Sequence, residues 1–168
     1  MQGEVSGIVE RMFTHQGLGI RVMTAADYCL LAAGVFFMTG LLTGVWKYRK
    51  MMTSVDTLAP VYVDIAHRAS LMYSFAAILM REFVPYSPLG ETATSWAVGI
   101  PLLFFGSAII TYITHGFLQD TENQLARPHV LGSGHLPGFL VQGYMVALIV
   151  GEIGGFAVLF WGFLKAVL

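Results

Sequence analysis

Charge is what this sequence has least of. Asp, Glu, Lys and Arg make up 11% of its 168 residues, where a soluble domain carries about 25%. That is too little to cover a water-facing surface. There is no basic excess either. The formal net charge of −1 argues against nucleic acid, because phosphate binding draws on Lys and Arg. Cysteine occurs once, as Cys29. A lone thiol excludes an internal disulfide, nothing around it forms a metal or thiol motif, and it is expected simply to pack inside a helix. An apolar leader is also lacking. Glu4, Glu10, Arg11 and His15 interrupt the start of the chain, so no cleavable signal peptide is expected. No internal repeat and no low-complexity tract is visible.

Hydrophobic residues, by contrast, reach 56% and the mean hydropathy is +0.69. A bilayer-spanning helix needs about 20 mostly apolar residues, and four stretches are expected to supply one each, at about 25–46, 61–84, 95–118 and 139–167. The expectation is a single all-α domain, an integral membrane four-helix bundle. Lys47, Arg49 and Lys50 follow the first stretch. Pro60 opens the second, where a missing N–H is harmless, and Pro85 and Pro88 lie beyond its end. Pro101 falls in the first turns of the third. Ahead of these, Val5, Ile8, Val9, Met12 and Phe13 form an apolar stripe at helical spacing, which predicts a short amphipathic helix lying on the membrane or capping the bundle. Gly34, Gly40 and Gly44, and Gly151, Gly154 and Gly155, suit close helix approach. The basic residues divide so evenly between the two sides that the positive-inside rule favours a cytoplasmic Lys47, Arg49 and Lys50 only slightly, and the orientation stays open.

Polar residues inside a bilayer are costly and usually functional. The second stretch carries Asp64, His67, Arg68, Ser70, Tyr73 and Ser74. The third turns polar only at Thr111, Tyr112, Thr114 and His115, and the fourth carries Gln142, Tyr144 and Glu152. Consecutive spans run antiparallel. His67, six residues into its span, and Tyr112, six residues from the end of its own, therefore lie about 9 Å below one surface at 1.5 Å per residue. The polar groups converge under the longest loop, about 119–138, which is long enough without structure of its own to suggest a function. Asp64 and Arg68, four apart, can pair along the helix. Asp64 and His67, three apart, face similarly, so a carboxylate could hold the imidazole N–H and leave the other nitrogen for a metal.

Imidazole beside arginine in an apolar span suits haem, with iron on the one and a propionate on the other. Spacing alone also fits, and does so more readily, a His67 that merely hydrogen-bonds a neighbouring helix. A bis-histidine site would take His115 as its second ligand. His129 and His135 fit no metal spacing and read as loop residues. Glu152 reads either as a proton-relay residue or as a partner of another helix.

The residues around His67 resemble the styrene oxide isomerase family, small four-helix membrane enzymes that use haem b to convert aryl epoxides to aldehydes. The resemblance rests on Ala66-His67, on Pro85 closing the same helix, on Tyr112 forty-five residues after the histidine, and on Gly44-Val45-Trp46 near the end of the first helix. Asn123-Gln124 is a looser counterpart of a loop motif. It covers helices one to three and fades in the fourth. It implies His67 as axial ligand of haem b; Arg68, Asp64 and His115 stand beside it as cofactor-binding candidates from the spacing above. It also implies Tyr112, with Tyr73, against a small apolar aromatic substrate. A ferric iron would act as a Lewis acid and a 1,2-hydride shift would complete the isomerisation. It further implies a homotrimer with haem at subunit contacts, in a bacterial inner membrane. Tyr73 is a departure: the family has asparagine there, so a bulkier donor narrows the pocket. The rival expectations are a b-type cytochrome electron-transfer subunit and a structural subunit of a membrane complex. A transporter built on Glu152 finds no support in inverted repeats or broken helices.

Overall fold

The computed structural model describes residues 22–168. The expected amphipathic helix of Val5 to Phe13 lies outside them. Four long helices dominate: α1 (Ala25–Thr53), α2 (Val61–Phe83), α3 (Glu91–Leu118) and α4 (Gly138–Val167). Helix makes up 77% of the structure. A single 3₁₀ turn at Val84–Tyr86 contains Pro85 and closes α2.

Helix starts follow local chemistry. Thr24 caps α1 in a reciprocal capping box with Asp27, which satisfies two otherwise orphan N–H groups. The Ala25 N–H donates to Glu91 Oε1 at 2.7 Å, so the first turns of α1 and α3 are tied at one end of the bundle. A carboxylate there also suits the positive ends of both helix dipoles. At the other end Lys47 of α1 meets Asp64 of α2 at 2.6 Å.

Two glycine seams set the packing. In α1, a Cβ on Gly40 would lie 2.5 Å from the Leu71 side chain, and one on Gly44 would lie 2.9 Å from the His67 ring. The two helices can approach closely here because these positions carry no side chain. In α4, Gly151 receives Ile100 and Phe104 of α3, and Gly155 lies against the Ala97 carbonyl and the Pro101 ring. Gly34 and Gly154 have open space around them, so those two do not serve packing within the chain. Cys29 is fully buried, as expected of a small packed residue.

Several boundaries move. Helix α1 runs on through Lys47, Arg49 and Lys50 to Thr53, because basic side chains end a hydrophobic stretch without ending a helix. Helix α3 begins at Glu91, which puts Pro101 nearly three turns inside it and not in its first turns. By length and composition α1, α3 and α4 are long and apolar enough to cross a membrane. Helix α2 falls short of that apolarity, carrying Asp64, Arg68, Arg81 and Glu82 within its 23 residues. The loop expected to lack structure holds an antiparallel hairpin, β1 (His129–Leu131) with β2 (Gly134–Leu136), turned at Gly132 with φ +59°.

Candidate functional site

The polar residues meet where the start of α2, the end of α3 and the hairpin come together. Tyr62 is the centre of this end. Its ring lies 6.1 Å from Tyr112 and 5.0 Å from His115, and its hydroxyl accepts the Gln124 N–H. Tyr62 was not among the residues expected from sequence. The signal was present, since Tyr62 and Tyr73 are eleven residues apart, three turns, and so share a face. The level of the site is as expected: the first turn of α2 faces the last turns of α3.

His115 is 3% exposed. Its Nδ1 lies 2.8 Å from Asp120 Oδ1, and Asp120 Oδ2 accepts the Gly132 N–H. Asp120 thus ties the end of α3 to the hairpin turn. Burial opposes ionisation of this carboxyl, but the His115 and Gly132 hydrogen bonds outweigh it and hold its pKa below the usual value. A lowered folded value means the stabilisation is complete above the unfolded carboxyl value of about 3.9 and is lost as pH falls through the folded value beneath it. Protection factors of the hairpin amides, taken against the intrinsic exchange rate at each pH, are expected to fall in that acid window, and in Asp120→Asn to be low already at neutral pH. Protection indifferent to both changes would show that Asp120 does not anchor the hairpin.

A cleft of about 210 Å³ opens under the hairpin, with Thr111, His115, Gln124 and Tyr144 on its walls. Tyr144 also bonds Ser107 at 2.7 Å. Deeper in, the Tyr73 and Tyr112 hydroxyls face each other within reach of Glu152, and Tyr73 stacks on Phe105 at 4.5 Å. Other polar residues satisfy themselves: Ser70, Thr111 and Thr114 bond carbonyls of their own helices. Gln142 is exposed and does not join the cluster.

His67 stands apart from this group. Its Nδ1 lies 2.8 Å from the Gly40 carbonyl oxygen. A carbonyl can only accept, so Nδ1 carries a proton and, in the neutral imidazole, Nε2 holds the lone pair. The carboxylate expected to hold His67 is engaged elsewhere, since Asp64 pairs with Lys47 and with Arg68 at 2.8 Å. On α2, His67 and Leu71 face α1, whereas Tyr62 and Tyr73 face α3, roughly a third to a half of a turn round at 100° per residue. Tyr112 and His67 therefore share a depth but not a side of α2. His115, held by Asp120 and covered by Tyr62, does not face His67 either.

The hairpin histidines do not converge. His129 pairs with Leu136 and His135 with Val130, so their side chains leave opposite faces of the ribbon. Among the described residues no three His, Cys, Asp or Glu side chains form a metal-binding group. A haem iron needs no such group from the protein, only an axial ligand. Of the side chains expected around a haem, His67 fits that role in tautomer and in its half-buried position, and Arg68, 63% exposed one residue on, fits a propionate.

Fold and site together define a helical bundle with a tyrosine-rich polar interior at one end, three of its helices long and apolar enough to cross a bilayer. The chain matches no protein-family model, no curated protein and no solved structure.

Proposed function

We propose that this protein is an integral membrane haem protein, with His67 as the axial ligand, that isomerises a small aryl epoxide to an aldehyde. The membrane part is supported by α4, whose Phe139, Val150, Ile153 and Trp161 are all more than half exposed. A helix apolar on every side needs an apolar surround. In this reading α2 also spans, with its charged first turns shielded by Lys47 of α1.

The observation on which the haem reading is built is the His67–Gly40 hydrogen bond at 2.8 Å, a bond to a neighbouring helix that the reading without haem shares. It fixes the imidazole tautomer and its orientation, the usual service of an outer partner to a metal-ligating histidine. Gly44 contributes by leaving room for the ring. Asp64 balances Lys47 and Arg68, so the cationic end of α2 remains available to an anionic propionate. When bound, a ferric haem with one protein ligand supplies a Lewis acid that polarises an epoxide C–O bond. The chain's own residues hold the ligand, exclude water with apolar helices, and admit an apolar substrate from the bilayer. The Tyr73–Tyr112 pair lies across α2 from His67. Within one chain it therefore does not reach a substrate at that imidazole, and the tyrosines do not serve the role the resemblance implies for them there.

The test is a visible absorption spectrum of the detergent-purified protein. A five-coordinate, high-spin ferric haem is the expected result. A six-coordinate, low-spin iron would replace this reading with the electron-transfer one. Protein free of any chromophore after expression with haem supplied would leave a structural subunit.

A further inference from the structure

The strongest unexplained group in the molecule is Glu152, midway along α4. Its Oε1 is buried and has no hydrogen-bond partner. Among the described residues no ion pair reaches it: Lys47 and Arg68 serve Asp64, and Arg81 serves Glu82. A charged carboxylate is costly to bury with one oxygen lacking a donor, so the charged form of Glu152 calls for a cation beside it.

The surroundings say which kind. Glu152 lines a cleft of about 470 Å³ between α2, α3 and α4, with Phe105, Phe156 and Phe160 among its walls. Phe156 and Phe160 lie nearly parallel, with centroids 6.1 Å apart, and Phe105 is backed by Tyr73. The remaining walls are aliphatic side chains and Pro101. One carboxylate in an otherwise apolar, aromatic slot matches a ligand with an apolar body and one positive charge. The carboxylate meets the charge, and ring faces attract what is left of it. The cleft volume falls in the usual range for small-molecule sites, about 300–1,000 Å³. A hydrated metal ion is a poor match, because too few oxygens are present to replace its water shell.

We propose that the Glu152 cleft binds a lipophilic monocation of the aryl-alkyl ammonium class. The inference does not rest on the haem reading, since the cleft and His67 lie on different sides of α2. Equilibrium dialysis of the purified full-length protein with radiolabelled benzyltrimethylammonium tests it. This probe has a fixed charge, and neopentylbenzene has the same shape without one. Saturable binding is expected, weakened at least about tenfold in Glu152→Gln and not displaced by neopentylbenzene. Ala157→Leu, which narrows the same cleft and keeps the carboxylate, is expected to weaken binding as well. It decides the matter if Glu152→Gln does not elute as folded protein. No saturable binding to the wild type would overturn the proposal. So would equal displacement by neopentylbenzene, or unchanged affinity in a folded Glu152→Gln, since either reduces the cleft to an apolar slot.

Discussion

Replacing His67 with alanine is expected to strip the purified protein of its haem absorbance, to below about a tenth of the wild-type haem-to-protein ratio, a loss on the scale seen when metal sites lose a fixed partner. The size of the effect follows from the lack of a substitute. His115 is committed to Asp120 and covered by Tyr62. His129 is buried at the start of α4, and His135 leaves the other face of the hairpin. None of the three shares the α1–α2 seam. His115→Ala is therefore expected to keep the haem while disturbing the hairpin. Added imidazole is expected to restore part of the His67→Ala absorbance, because truncation leaves space beside Gly44 and the Gly40 carbonyl that held the ring. Full haem content in His67→Ala would remove the ligand assignment and, with it, the isomerase reading.

How far the sequence reaches depends on which coordinate is asked for. Position along the helix axis was legible. Proline placement and apolar run lengths mark all four helices, and counting residues sets Tyr112, His115 and the first turns of α2 at one level. Position around the axis was not. Helix α3 is apolar nearly all round, so no stripe marks the side that meets α2. The azimuth of Tyr112 came from packing on Tyr62, and although Tyr62 and Tyr73 mark a face of α2, no spacing within α3 announces the side that meets it. The partner of His67 was hidden for a related reason. A backbone carbonyl at Gly40 carries no residue-type signal, and Asp64, the obvious candidate three residues away, was claimed by Lys47 from the next helix. The hairpin in 119–138 is short and rich in turn residues. Its anchor is a long-range bond from Gly132 to Asp120, invisible to any local pattern. Charge, finally, misled at Lys47, Arg49 and Lys50, where a hydrophobic stretch ends but backbone hydrogen bonding continues for two further turns.

Gly155→Val is expected to damage the fold severely, while Gly154→Val, one residue away, is expected to be nearly silent. Both substitutions add the same side chain to the same apolar helix, so propensity and hydropathy cancel in the comparison. What differs is the neighbour. A Cβ at Gly155 runs into the Ala97 carbonyl oxygen and the Pro101 ring, whereas nothing lies within 4 Å at Gly154. A flexible side chain can swing aside, but a carbonyl and a proline ring inside a helix cannot. Pro101 sharpens the conflict: lacking an N–H, it cannot donate to Ala97 four residues earlier, and α4 covers that carbonyl closely only because Gly155 presents no side chain. Forcing the helices apart there uncovers a backbone acceptor in an apolar surround, which adds to the ordinary overpacking cost of about 1–3 kcal/mol. Thermal unfolding in detergent should therefore separate the pair, with Gly155→Val lowered by roughly 3 kcal/mol or more and Gly154→Val within about 0.5 kcal/mol of wild type, as at an open surface position. Equal midpoints for the two variants would mean that α3 and α4 do not meet through Gly155, and the Glu152 cleft, framed by the same two helices, would lose its walls with them.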